Sequence, residues 1–316
     1  MRSFRFGVGV WHVQSRADLT KKARKVEALG YATLTFPDHL SDRIAPIPAL
    51  VIAAEATKQL RVGTNVLNND LRHPVLVARE VAAVDLLTDG RVELGPGAGS
   101  IRSEYEQLGL DFDRGAVRVE RLTEAVTVIK GLLSGERVNF AGQHYRVTGH
   151  TIAPLPVQKP HPPILIGGNG TRLLTLAARE ADIVGLSGIT FRGGGAAPPD
   201  LSGWRVSAVD ERIRLVREVA GDERYGRLEI SALIQRVVVT DDRHKAAEEL
   251  TNRWTQLDAD EILQSPYVPD RNRGADCRRP TGAPGTVGHL LLCRARALHG
   301  CPRACGCPSG GQIVLD

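Results

Sequence analysis

Short apolar, β-branched runs alternate with amphipathic helical stretches along most of this chain, and that alternation restricts its fold more than any other feature. The first run, residues 4–10, precedes a helical stretch that Ser15 and Asp18 open and Gly30 closes, with Leu19, Ala23, Val26 and Leu29 at helical spacing. A second strand follows at once, at residues 32–36. Helices at 47–59, 74–87, 118–133, 171–180 and 210–220 then alternate with strands at 61–67, 92–95, 163–166, 182–186 and 229–240. Repeated βα units with apolar strands predict a parallel sheet covered on both faces. An open doubly wound sheet would carry its glycine fingerprint in the first βα turn, but here that turn reads VWHVQSR and the glycines follow later strands. The expected fold is therefore an α/β (β/α)8 barrel of the TIM type, formed by residues 1–268.

Composition narrows the function. With 316 residues, 42% of them hydrophobic, the chain can bury a full core. It shows no unbroken apolar run of membrane-spanning length and no leader-like N-terminus, which predicts a cytoplasmic protein that does not engage a membrane. The net charge of +5 would suggest nucleic acid, yet the tail from Pro269 holds seven arginines against three aspartates, which leaves the body nearly neutral. The body has no basic stripe with interleaved aromatics, so no nucleic-acid partner is expected. All five cysteines also lie beyond Val268. The body has no HExxH or comparable spacing, and the CPRACGC run lacks a second ligand cluster, so no metal site is expected.

Barrels of this kind place their chemistry at the C-terminal ends of the strands. The residues there form a consistent set. Trp11 and His12 follow the first strand, Asp38 and His39 the second. Thr64, Asn65 and Val66 end the third, with Asn68, Asn69 and Asp70 beyond them. Gly97, Ala98, Gly99 and Ser100 follow the fourth, with Glu104 nearby, and GGNGTR, from Gly167 through Gly168, Asn169, Gly170 and Thr171 to Arg172, follows the fifth. The GGNGTR segment leaves N–H groups free at a helix start, where the dipole favours an anion; a phosphate site or a plain tight turn both fit. Asp38 and His39 are adjacent, so their side chains diverge and each acts on something else. The histidine can pass a proton or a hydrogen bond to a bound ring, or it can be a hydrogen-bonded loop residue.

These residues resemble the luciferase-like superfamily over most of the chain. The most specific stretch is RHPVLVAREVAAVDLLTDGRVELGPGAG, supported by FPDHL, PLPVQKPHPPILIGGNG and AAREADIVG. The resemblance implies an oxidoreductase transferring a hydride between the deazaflavin coenzyme F420 and a small organic substrate. FMN-dependent monooxygenation is the alternative, and a non-catalytic flavin-binding barrel is the alternative from another class. It also implies that His39 faces the reactive ring edge with Asp38 beside it, and that Thr64 to Val66 line the ring, often with a cis peptide. Asn68 and Gly97 to Gly99 would complete the ring site, and Gly167 to Thr171 would hold the phosphate. A homodimer is a further implication. Ser100 stands where some sugar-phosphate-oxidising relatives carry a catalytic glutamate, so their substrate does not carry over.

The tail departs from all of this. An eighth strand and a last helix should follow SPYV, but residues 269–316 are rich in Arg, Pro, Gly and Cys, as expected of a GC-rich gene read out of frame. Codons can be chosen for residues 270–308 that, read one nucleotide on, give a helix, a strand and a last helix. From the sequence, then, the barrel lacks its eighth strand and last helix, the edges of its first and seventh strands stand unpaired, and the tail is aberrant and disordered.

Overall fold

The computed structural model describes residues 4–41, 43–268, 270–272 and 291–296. In chain order the barrel half begins with β1 (Arg5–Gly9), α1 (Arg16–Ala28), β2 (Thr33–Phe36), α2 (Pro46–Glu55), β3 (Arg61–Thr64), β4 (Leu67–Asn68), α3 (Pro74–Leu87), β5 (Val92–Glu93) and β6 (Pro96–Gly97). It continues with α4 (Arg102–Gln107), α5 (Gly115–Leu133), β7 (Val138–Ala141), β8 (Arg146–His150), β9 (Leu165–Gly167), α6 (Thr171–Glu180) and β10 (Ile183–Leu186). The remaining elements are α7 (Val206–Tyr225), β11 (Glu229–Ile234), β12 (Val238–Thr240), α8 (Arg243–Thr251), α9 (Ala259–Gln264), β13 (Asp270–Asn272) and β14 (Leu291–Arg296).

The alternation read from the sequence is the fold. Pro46 and Pro74 each start a helix at its first position, where a missing N–H costs nothing, and the His73 side chain accepts the N–H of Val75. One sheet runs in the order β5, β3, β2, β1, β14, β11, β10, β9. Its ends meet: Leu94 bridges Ile164 in parallel, and Leu165 N–H donates to Leu94 at 2.8 Å, so the sheet closes on itself. The outward face of these strands is apolar. Val8, Leu34, Phe36 and Val62 are buried against Leu19, Ala23, Ala53 and Val81 of the surrounding helices. A second cluster gathers Ile164, Ile166 and Val184 with Leu174, Trp204 and Tyr267 on the far side.

Closure corrects the expectation of a missing stave. Between β1 and β11 lies β14, antiparallel to both, with Phe6 opposite Cys293 and Leu233 opposite Leu292. The physical reason is the cost of two bare edges: each unpaired N–H and C=O loses a hydrogen bond, and an antiparallel segment satisfies them as fully as a parallel one. The LLC run of the tail supplies that segment, so residues 291–296 belong to the barrel. Residues 270–272 also pair, in parallel with β12. The last helix, expected to be absent, falls outside the described residues.

Two further elements differ from the sequence reading. Residues 229–240 are two strands, and β12 leaves the barrel sheet for β13. Residues 138–150 form an antiparallel hairpin, β7 with β8, whose turn is gathered by the Glu124 carboxylate accepting the N–H groups of Gln143, His144 and Tyr145 at 2.7, 2.9 and 3.0 Å. No helix among the described residues is long and apolar enough to cross a membrane.

Charge closes the barrel floor. At the N-terminal ends of the strands, Arg5 donates to Glu93 at 3.0 Å and to both oxygens of Glu229 at 3.0 and 2.8 Å, while Arg61 donates to Glu93 at 2.8 Å. Among the described residues these two carboxylates and two guanidinium groups pack together at the N-terminal end, opposite the C-terminal rim.

Candidate active site

Three loops meet at that rim, and a single short element ties two of them together. After β2 the buried Asp38 accepts two N–H groups from Arg72, at the end of the turn preceding α3, and the backbone N–H of Asn68 at 3.0 Å. A buried carboxylate needs such partners, because an unpaired charge away from water is expensive. The Asp38 pairings clamp the end of β2 to the turn after β3, where the peptide between Asn65 and Val66 is cis, as the family resemblance implies at this strand. Asn65 N–H donates to Phe36 at 2.9 Å, which holds the turn against β2.

The strand after that turn is packed as closely as backbone allows. Thr64 Oγ1 accepts the Gly95 N–H at 2.9 Å and donates to the Gly95 carbonyl at 3.1 Å, so its hydroxyl stitches β3 to the strand that follows β5. A Cβ on Gly97 would lie 2.2 Å from Val66 Cγ2, and one on Gly99, at φ +70, would lie 1.9 Å from the Tyr105 hydroxyl. Gly97 therefore lets β6 lie against the cis turn, and Gly99 leaves room for Tyr105. Substituting Gly97→Ala is expected to cost about 1–3 kcal/mol by overpacking and to push Val66 out of place. Gly115→Ala, whose Cβ meets nothing within 4 Å at a helix start, is the control and should leave stability the same or slightly higher. Comparing unfolding midpoints in denaturant checks both.

From α4, two neighbouring side chains reach in opposite directions. Tyr105 donates to Asn68 Oδ1 at 3.3 Å and to Asp70 Oδ2 at 3.1 Å, and Asp70 also accepts from Arg121 at 2.7 Å. Burial, with the Asp70 charge beside it, holds the Tyr105 phenol far above its ordinary range, so it remains a donor. Glu104 instead turns to the β2 loop, 2.9 Å from His39 Nδ1 and 3.2 Å from the Leu40 N–H. The Trp11 ring stacks near His39, with centroids 6.1 Å apart and planes at 19°, and the Arg43 guanidinium lies 4.8 Å from the Trp11 centroid. Phe112, between the guanidinium groups of Arg102 and Arg118 at 4.8 and 4.0 Å, carries the loop before α5. Arg118 also donates to the Ala98 carbonyl at 3.1 Å.

The glycine loop after β9 has a different character. Asn169 is spent on structure: it accepts the Gly188 N–H at 2.9 Å and donates to Ile189 at 2.5 Å, joining its loop to the one after β10. Gly170 is the N-cap of α6, no side chain caps that helix, and a Cβ at Gly170 would meet nothing within 4 Å. The first N–H groups of α6, from Thr171 onward, thus face an exposed, open position at the positive end of a ten-residue helix.

The sequence-predicted residues therefore sort into two groups. His39, Val66, Gly170 and Thr171 stand where a bound molecule can reach them. Asp38, Thr64, Asn65, Asn68, Asn169 and the three positions of the GAG segment, Gly97, Ala98 and Gly99, hold the loops, Asn65 through its N–H to Phe36, and Gly167 and Gly168 pack against Gly185 and Leu173. What the sequence missed is the set of partners, Arg72, Tyr105 and Arg121, and the link from Glu104 to His39. Only Arg72 had a signal, since a buried aspartate at a strand end demands a nearby cation.

The model of the luciferase-like monooxygenase family matches residues 3–286. An F420-dependent glucose-6-phosphate dehydrogenase of Microbacterium testaceum is 36% identical over 164 residues, 49% of this chain and 48% of that one. An F420-dependent hydroxymycolic acid dehydrogenase of Mycobacterium tuberculosis is 33% identical over 186 residues, 56% of this chain and 51% of that one. The matched stretch spans about half the length of both relatives. Among solved structures, the coenzyme F420-dependent tetrahydromethanopterin reductase of Methanopyrus kandleri superposes with a TM-score of 0.65 at 18% identity, covering 84% of this chain and 74% of its own, which shows a shared fold. A closed barrel, a cis turn after β3 and a family match running through nearly all of the described residues lead to one assignment: this chain belongs to the luciferase-like monooxygenase family.

Proposed function

We propose that this protein is an oxidoreductase that binds coenzyme F420 at the C-terminal rim and moves a hydride between it and a small organic molecule carrying an alcohol or carbonyl group. The observation that carries this reading is the uncapped, exposed start of α6 at Gly170, at the same end of the barrel as His39. Its donor set is backbone N–H, which suits a phosphate, and the F420 dependence named for relatives at 36% and 33% identity gives that phosphate a bearer. When bound, the deazaflavin supplies the carbon that takes or gives the hydride. Val66 on the cis turn gives the ring an apolar wall, and Gly170 and Thr171 hold the phosphate. His39 takes the proton from a substrate hydroxyl as the hydride departs, or returns it to a carbonyl in the reverse direction.

Fluorescence-detected binding to F420 and, separately, to FMN tests the assignment. Preferential F420 binding is the expected result, and tight FMN binding would move the reading to a flavin monooxygenase. Gly170→Asp sharpens the test. An aspartate there caps α6 with its own carboxylate, adding a few tenths of a kcal/mol to stability. It also places negative charge where the phosphate sits. F420 affinity should fall at least about tenfold while the unfolding midpoint holds or rises; unchanged affinity would show that the phosphate lies elsewhere.

A further inference from the structure

We infer that Glu104 is a positioning residue that readies His39 for proton transfer, holding the imidazole in the tautomer that leaves Nε2 as the proton acceptor. The inference rests on the proposed hydride-transfer function but begins from geometry independent of it. Glu104 is only 8% exposed, and its Oε1 lies 2.9 Å from His39 Nδ1 and 3.2 Å from the Leu40 N–H. An ionised carboxylate can only accept, so Nδ1 must carry the hydrogen and Nε2 keeps the lone pair. The His39 side chain is 31% exposed, and Nε2 has no hydrogen-bond partner among the described residues.

Other charged groups nearby do not take over this role. The Asp38 carboxylate turns away to Arg72 and Asn68, and Arg43 lies across Trp11 in contact with His12. Trp11 limits tilting of the ring from the β1 side. α4 fixes Glu104 in turn, because the adjacent Tyr105 is tied to Asn68 and Asp70. In the oxidation of an alcohol, the C–H electron pair leaves as hydride to the deazaflavin, the O–H proton passes to Nε2 of His39, and the C=O bond forms. The Glu104 carboxylate then faces the new imidazolium through Nδ1–H and stabilises its charge.

The test uses the full chain labelled with 15N-histidine, with His39 assigned by its loss in His39→Gln. In the ligand-free protein, neutral His39 is expected in the Nδ1–H form. In Glu104→Gln, the Leu40 N–H keeps its acceptor but the amide can also donate, so the Nε2–H form should gain population. With F420 and a turned-over alcohol, kcat should fall about a hundredfold with KM within about threefold, the pattern of a lost tautomer. An Nε2–H tautomer in the wild-type protein, or unchanged kcat in Glu104→Gln, would overturn the inference and leave Glu104 a brace for the β2 loop. Failure of F420 to bind would sink the proposed function instead, while the tautomer of the ligand-free protein would still decide the role of Glu104.

Discussion

Glu93→Gln is expected to cost about 2–4 kcal/mol of folding stability, the full-burial cost reduced because its two cations are a quarter to a third exposed, and still a large share of what holds a domain together. Glu93 is 2% exposed and, among the described residues, holds Arg5 at 3.0 Å and Arg61 at 2.8 Å. The glutamine keeps the volume and one acceptor oxygen, so the cost is electrostatic. Arg61 then has no carboxylate of its own and leans on the Gln158 carbonyl oxygen at 2.7 Å and on the Val92 and Gly90 carbonyls. Arg5 retains Glu229, which it grips with two bonds. Burial already pulls the Arg61 guanidinium below its ordinary pKa, with the nearby Arg5 charge acting the same way. Loss of Glu93 deepens that penalty, whereas the double variant Glu93→Gln, Arg61→Met should recover part of the stability, because an apolar replacement of a buried pair costs less than one orphaned charge. Denaturant unfolding at constant m-value measures both variants. A loss below about 1 kcal/mol for Glu93→Gln would mean that the floor cluster is solvated enough to be dispensable.

This floor cluster also shows which parts of the molecule the sequence could reveal. Helix and strand periods depend on neighbours within a few residues, so β1 through β3, α3, α5 and the pair β9 and α6 are legible from pattern alone. The family resemblance placed the cis turn at the right strand. Features made by distant residues have no local signature. Arg5 meets Glu229 from 224 positions away in the chain, Glu124 shapes a hairpin turn with three N–H groups about twenty positions on, and Glu104 finds His39 from α4, 65 positions on. The eighth stave was hidden for another reason. The LLC of the tail is too short to read as a strand, and what makes it one is the demand of two open edges, a property of the assembled sheet. Likewise nothing local to Asp38 announces that Arg72 grips it and makes it a clamp between two loops.

Asp38 and His39, though adjacent, should therefore respond to substitution in opposite ways. Asp38→Asn removes the charge that Arg72 grips while leaving an acceptor for the Asn68 N–H. A buried ion pair broken on one side costs about 3–5 kcal/mol at full burial, and with Arg72 one quarter exposed the expected loss is about 2–3 kcal/mol. The cis turn loosens with it, so cofactor affinity should fall, while kcat at saturating cofactor stays within a few-fold. His39→Gln does the reverse. The ring is half-buried and, among the described residues, hydrogen-bonded to Glu104 and stacked near Trp11, so folding stability should change by less than about 1 kcal/mol. Turnover should drop about 10²–10⁴-fold, the usual contribution of a positioned acid–base group. Measuring kcat, F420 affinity and the unfolding midpoint for both variants separates the two roles. A collapse of kcat in Asp38→Asn at full cofactor occupancy would restore Asp38 to the chemistry, and undiminished turnover in His39→Gln would remove the histidine from it.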